Sequence, residues 1–524
     1  MSPAVILLIV AWVFCLIWIP YIIYSNKKTN PKALFILFFA EMWERFSYYG
    51  MRALLTLYMA QVLFVELGRQ LAEQKSLAVY GSYTSLVYLF PVIGGLIADR
   101  YFGFRKAIIT GGILMMLGHF ALALEGMIFQ GDVIIFNLSL ALIIVGNAYF
   151  KPNISSFLGQ FYEEERMKLK KDGAFNIFYV GINAGAFLSS VTCGYVGQEI
   201  SWHYGFGLAG IGMLVGLLVF YFNQGALQGK GKIEEAGRKK IFANLSVNTW
   251  ILIATIVLIP IVSSMLQLNE VFTTLLLVAG LGIIAFMIIQ GFLQKDKVAG
   301  QRLWVVLVLF IFNVIFWALF EQAGGSLTLF TENNVDRTIG DGDIPASMFQ
   351  ALNAFFILIF ATGFTWIWNK LRKRNLEPST PMKFVLGLVQ LALGFGIVVL
   401  ASKFFATDGL IPMIFIVLMY MFHTTGELSL SPVGLSMITK LSPKKIVGMI
   451  MGVWFVSFAL ANKLAGKIGE WTAKTELPES ATAIDTLNVY TSTYLNWGVY
   501  VVLASALLLL LLVPLLRKWM NGIH

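Results

Sequence analysis

Apolar stretches of about 20 residues, the length a helix needs to cross a bilayer, recur along the chain with short polar breaks between them. They lie near 3–24, 33–60, 77–98, 107–128, 133–157, 174–197, 203–222, 248–267 and 272–293, then near 303–330, 346–369, 383–401, 410–438, 446–466 and 492–515. The runs are long and unbroken. They lack the strict alternation of a membrane β-barrel strand, so each one predicts a helix. The expected fold class is an all-α polytopic membrane protein.

Composition narrows the function classes. Of 524 residues, 58% are hydrophobic and 13% charged, where soluble chains carry about 25% charged residues. That excludes a soluble enzyme, a disordered chain and a disulfide-stapled module. The net charge of +10 does not indicate a nucleic-acid partner, because the basic residues are scattered between apolar segments. Cys15 and Cys193 sit inside apolar runs and read as packing residues. His119, His203, His423 and His524 are far apart, so neither a metal site nor a cofactor is expected.

Lysine and arginine set the topology. Twenty-eight of the 38 basic residues fall in alternate loops, beginning with Lys27, Lys28 and Lys32 and ending with Arg517 and Lys518. Seven lie on the other side: Arg69, Lys75, Arg337, Lys403, Lys463, Lys467 and Lys474. The positive-inside rule makes the first set cytoplasmic, with the C-terminus, and the N-terminus periplasmic or extracellular. The first apolar segment has no basic residue before it and three after it. This reverses a signal peptide and reads as an uncleaved helix, a misassigned start or cleaved leader being the alternative.

Glu41, Glu44, Arg45, Tyr48, Tyr49 and Arg52 follow at i, i+3, i+4, i+7, i+8 and i+11, one face of one helix. A lone ionised group at mid-membrane costs at least ~2.5–3.5 kcal/mol, so these groups pair with one another or face a watered cavity. Lys151, Glu321 and Glu427 also lie within spans, giving four carboxylates against three bases. One carboxylate is left over, and a proton on it is the cheapest remedy. Glu125, near the outer end of its span, reads as an interfacial residue. Asn176, Tyr179 and Asn183 share a face, as a polar site or as helix–helix glue.

A repeat is visible. Gly146 to Pro152, around Lys151, and Gly426 to Pro432, around Glu427, have the same spacing 280 positions apart, and the same offset carries Glu41 onto Glu321. The expected organisation is an extra N-terminal helix with its linker (1–32), a six-helix bundle (33–222), a linker with an inserted helix pair (223–302) and a second six-helix bundle (303–524). Parallel repeats put a substrate site near the midplane between them. Arg52 is then expected to reach Glu321, and Lys151 to reach Glu427, as salt bridges that alternate as gates. The prolines at Lys151-Pro152 and Ser431-Pro432 are expected to kink their helices, for motion or for packing.

Gly95-Leu96-Ile97-Ala98-Asp99-Arg100 with Gly103, Arg105 and Lys106 resembles the loop signature of the major facilitator superfamily, read as a tight turn whose charges pair with helix ends. Glu41-x-x-Glu44-Arg45-Phe46-x-Tyr48-Tyr49-Gly50 resembles the first-helix motif of the proton-coupled oligopeptide transporters within that superfamily. Phe175 to Tyr179 with Gly181 to Gly185, Lys151-Pro152-Asn153, Phe316-Trp317 with Phe320-Glu321-Gln322, and Glu427 with Ser431 to Ser436 resemble it as well. The likeness covers about 33–515, and an inserted helix pair is similar to that of bacterial members.

The resemblance implies symport of di- and tripeptides with protons by alternating access, in an inner (plasma) membrane. It assigns proton coupling to Glu41, Glu44, Glu321 and Lys151. Arg45, Arg52 and Lys151 would meet the peptide carboxylate, and Asn183, Asn353 and Glu427 its amino end. Tyr48, Tyr49 and Tyr88 would hydrogen-bond the peptide backbone, and Trp454 would line a side-chain pocket. Animal members use a histidine in the second helix, and the span 77–98 has none; Ala148 stands where the family usually has Gly. The rival readings are a membrane enzyme, a carrier of another anion such as nitrate, and a passive channel. The sequence carries no signal for the oligomeric state.

Overall fold

Every apolar stretch forms helix in the computed structural model, which describes residues 1–129, 131–474 and 481–523 and, over 431–436, the course of the helix alone. The helices are α1 (Pro3–Asn26), α2 (Lys32–Tyr58), α3 (Arg69–Leu89), α4 (Pro91–Ile97), α5 (Gly103–Ile128), α6 (Val133–Gln160), α7 (Glu165–Lys168), α8 (Lys171–Tyr195), α9 (Trp202–Phe222) and α10 (Glu235–Arg238). They continue as α11 (Val247–Gln267), α12 (Asn269–Leu293), α13 (Lys297–Phe320), α14 (Ser326–Asn334), α15 (Ala351–Lys373), α16 (Thr380–Phe404), α17 (Ile414–Leu441), α18 (Val447–Ala473), α19 (Ala483–Thr493) and α20 (Val502–Trp519). Polar side chains start several of them: Ser2, Asp132, Ser246 and Asp296 each accept from a first-turn backbone N–H.

Twelve helical stretches of the described residues are long and apolar enough to cross a membrane. One of them, Arg69–Ile128, is long enough for two crossings and breaks at Gly103, whose φ is +68°. Two further helices have the length. Helix α2 carries four charges at its centre, and the apolar part of α17 is counted only over Ile414–Leu430. The Ser431–Pro432 kink falls on side chains outside the described residues.

The chain packs as two compact units. The first comprises residues 1–63, 90–268 and 338–354; the second comprises 64–89, 269–337 and 355–524. Helix α3 thus belongs to the second unit, while the repeat groups it with residues 33–222. Its reason is local. Gly81 of α3 and Gly466 of α18 bring the two backbones so close that a Cβ on either would sit 2.7 Å from the other's Cα. Glu73 of the same helix accepts from Arg69, Asn333 and Tyr490. The inserted pair divides likewise: α11 packs on α6, with Tyr149 and Thr255 hydroxyls 2.7 Å apart, and α12 packs on α13 and α18.

Within the first unit, glycines set the helix spacing. Pro152 lies inside α6 and cannot donate to the carbonyl of Ala148 one turn earlier. Gly94 of α4 closes on that carbonyl, with its Cβ position 1.9 Å from the oxygen. The loop signature is a backbone clamp: Arg105 Nε donates to Lys230 O at 2.6 Å and Arg105 Nη2 to Leu227 O at 3.2 Å. Its charge therefore serves linker carbonyls, beside the left-handed Gly103.

Two expectations test this packing. Gly94→Ala should cost about 1–3 kcal/mol of stability, because the methyl group meets a backbone carbonyl; an unchanged melting temperature would contradict the close approach. In the second unit, Glu377 accepts from Arg372 and from Lys383, each at 2.6 Å, which holds its carboxyl down at about 2. A depressed carboxyl stabilises the fold above its unfolded value near 4.5 and loses that contribution as pH falls towards 2. Glu377→Gln should therefore lower the melting temperature at pH 7, with the gap to wild type closing as the pH falls below 4.5.

Candidate functional site

In the first unit the charged face of α2 is buried. Glu41 is 3% exposed, Glu44 0%, Arg45 4% and Arg52 8%. Small residues bring this face against α8. Gly185 would meet Met42 O at 2.1 Å and Arg45 Cβ at 3.1 Å if it bore a side chain, and Gly181 would meet the Phe38 ring at 2.8 Å. Any larger residue there would push away the helix that carries the charges.

Arg45 stands between two carboxylates. Its Nε donates to Glu41 Oε1 at 2.8 Å and lies 2.7 Å from Glu44 Oε2. One N–H points at one acceptor, so the first contact is a hydrogen bond and the second is electrostatic attraction. Asn147 Nδ2 of α6 donates to Glu44 Oε1 at 3.2 Å. Glu41 Oε2 and Glu44 Oε2 have no hydrogen-bond donor among the described residues. Two carboxylates thus share one guanidinium. Arg45 also lies 5.9 Å over the Tyr48 ring, and Arg52 lies 5.7 Å over the Tyr49 ring.

Asn147 is the residue the sequence reading missed. Its signal was present: an amide one helical turn before Lys151, hence on the same face of α6. Asn183 is 5% exposed, and its amide donates to Tyr179 O of its own helix at 2.9 Å. Asn353 is half-buried in this unit.

The second unit holds Tyr88, Glu321, Glu427 and Trp454. Glu321 is 4% exposed and sits at a break. Helix α13 ends at Phe320, a 3₁₀ turn covers Glu321–Gly324, and α14 restarts at Ser326. The single span expected over 303–330 is therefore discontinuous. Gln322 secures the break by donating to Ala318 O and Ala465 O, both at 3.0 Å. Aromatic rings floor this region: Phe458 lies 5.3 Å from Trp317 and 5.7 Å from Tyr88. Trp454 is 2% exposed, and Glu427 is buried.

Two charged residues have buried partners that the sequence reading did not assign. Lys463, grouped with the outer loops, is 4% exposed within α18, where its ammonium donates to Ser82 Oγ at 2.7 Å and to Asn269. A buried polar pair solvates it, which a charge count along the chain does not register. Glu125, read as interfacial, is 0% exposed and accepts from Tyr58 OH at 2.6 Å.

Asn147→Leu should strand Glu44 Oε1 and lower stability by about 1–3 kcal/mol. Adding Glu44→Gln to that variant should recover part of the loss. No change of melting temperature in the single variant would contradict the assigned contact.

The profile of the POT family matches residues 105–484. The chain is 36% identical to the uncharacterized transporter YclF of Bacillus subtilis and 34% identical to the peptide transporter YePEPT of Yersinia enterocolitica. It is 32% identical to the dipeptide and tripeptide permease B of Salmonella typhimurium, and each of the three alignments covers 94% of this chain and 96% of the relative. Among solved structures, the peptide transporter POT in complex with sulfate aligns with a TM-score of 0.78 at 34% identity, over 94% of this chain and 96% of that one. A substituted form of that transporter in complex with alafosfalin aligns with a TM-score of 0.77 over the same shares. With the profile over most of its length, and relatives above 30% identity across nearly all of it, this multi-pass membrane protein belongs to the POT family of transporters.

Proposed function

We propose that the protein carries di- and tripeptides into the cell together with protons, by alternating access across the inner (plasma) membrane. The observation that carries this reading is the buried Glu41–Arg45–Glu44 cluster, in which one guanidinium serves two carboxylates. A peptide is a zwitterion. Its carboxylate can compete for Arg45, with Arg52 and Lys151 adding positive potential, and a forked guanidinium suits a carboxylate. Once Arg45 turns to the peptide, a glutamate loses its counter-ion, and taking up a proton is its cheapest response.

Glu321 is the proposed proton carrier of the second unit. It caps the end of α13, and the C-terminal end of a helix is a poor place for a permanent negative charge. Arg52 with Glu321, and Lys151 with Glu427, are the proposed alternating salt bridges; their pairing follows from the repeat. Asn183, Asn353 and Glu427 are proposed for the peptide's amino end, Tyr48, Tyr49 and Tyr88 for its backbone, and Trp454 for a side chain. The positive-inside bias supports a cytoplasmic C-terminus and an N-terminus on the opposite side.

Purified protein in liposomes should take up a labelled dipeptide when an inward proton gradient is imposed. Intact binding without stimulation by the gradient would overturn proton symport. Glu321→Gln should abolish gradient-driven uptake while leaving counterflow exchange of peptide near the wild-type rate, and equal loss of both would contradict its role as proton carrier.

A further inference from the structure

Helix α1 packs on α8 within the first unit, and it does so through one stripe. Ala4, Ala11, Cys15 and Ile19 are buried, while Leu16, Ile17 and Tyr21 on its other faces are exposed. Trp12 fixes this seat, its Nε1 donating to Thr192 Oγ1 of α8 at 3.0 Å. The start of α1 meets a different partner. Gly342 comes so close that a Cβ there would lie 2.9 Å from Pro3 Cδ and 3.7 Å from Ser2 Cβ. Gly342–Asp343 pairs antiparallel with Thr338–Ile339 in a short hairpin. The turn after the hairpin is held at the end of α8. Ser347 N and Oγ both donate to Gln198 Oε1, at 2.8 and 2.6 Å, and a Cβ on Gly194 of α8 would lie 2.8 Å from Ser347 Oγ.

Residues 338–354 therefore belong to the first unit, although both flanks, 269–337 and 355–524, belong to the second. Neither end has slack. Asp336 pairs with Pro412 in the second unit, Thr338 opens the hairpin in the first, and Arg337 alone joins them. One extended residue spans at most about 3.6 Å. At the other end the Ala346–Gln350 turn runs directly into α15. We propose that α1 is a strap: its first turn holds the hairpin down, and it has to release the hairpin when the outer side opens, a role that rests on the alternating access proposed above. A segment without slack cannot absorb a movement of its flanks, so such a movement peels the hairpin from Pro3. The positive-inside bias puts the start of α1 and the hairpin on the outer side. The strength of this catch then sets how readily the outer side opens, which gives the extra N-terminal helix a part in the transport cycle.

The test uses the full chain with Ser2→Cys and Gly342→Cys together. The 3.7 Å separation of the Cβ positions suits a disulfide, which takes about 3.5–4.5 Å. Gly342 is not in the left-handed region, so its backbone admits a side chain, and the native Cys15 and Cys193 are buried away from oxidant. Mild oxidation should cross-link the new pair; cysteines that stay open to a thiol reagent would overturn the contact. In liposomes under a proton gradient, the oxidised variant should take up labelled dipeptide roughly tenfold more slowly than the same protein after reduction, with peptide binding unchanged. Equal uptake before and after reduction would overturn the release step. A second measurement needs no transport. Hydrogen exchange over 338–350 should quicken in Trp12→Ala, which loosens α1 from α8 without touching the hairpin, and unchanged exchange would overturn the strap. Wild-type liposomes that take up no dipeptide would overturn the transport reading instead, on which the exchange result does not depend.

Discussion

A guanidinium held between two carboxylates in the buried middle of a helix is the constraint on which the rest of the first unit depends. Arg45, Glu41 and Glu44 are each under 5% exposed, and charges removed from water in this way persist only with close partners. That requirement reaches outward from α2. Asn147 is needed to supply the donor that Arg45 cannot send to Glu44, and α6 must therefore pass alongside. Gly181 and Gly185 are needed because α8 lies against the same turns, with backbone atoms where side chains would otherwise be. Motif residues that look independent in the sequence, the glutamates of one helix and the glycines of another, are two sides of one packing problem.

The second unit meets a related problem with backbone rather than with a charge pair. Glu321 lies where α13 gives way to a 3₁₀ turn, and Gln322 donates its amide to the Ala318 carbonyl in the last turn of α13 and to the Ala465 carbonyl of α18. Broken helices are tolerated at membrane depth where protein groups satisfy the loose backbone polar atoms.

Much of this was legible in the sequence because bilayer physics writes long, simple signals. The spans, their helical nature and the charged face of α2 follow from periodicity, since a 20-residue apolar run has few other uses. The break at Glu321 was missed because the apolar runs on either side of it were read as one span, although Gly324-Gly325 marks a helix-breaking pair. The affiliation of α3 was hidden for a different reason. Repeats record order along the chain, whereas the Gly81–Gly466 contact that decides its packing joins residues 385 positions apart. The burial of Lys463 and Glu125 was not legible, because a reading along the chain takes each residue alone. Ser82, Asn269 and Tyr58, which make their burial possible, are distant in sequence.

Burial alone does not identify a coupling residue. Glu41, Glu44, Glu125 and Glu470 all keep one oxygen without a donor among the described residues. They differ in what protonation would set free. Glu125 is held by a tyrosine hydroxyl, so neutralising it leaves no ionic partner to redistribute. Glu470 shares Lys467 with Glu270, an exposed residue that water already solvates, so the consequence there is small. On α2 the partner is one arginine, and the competitor for it is a second buried carboxylate. A proton arriving on either glutamate changes what Arg45 can do for the other, or for an anion that enters beside it. Among these four glutamates only the α2 pair combines a shared buried partner with an oxygen that has no donor among the described residues.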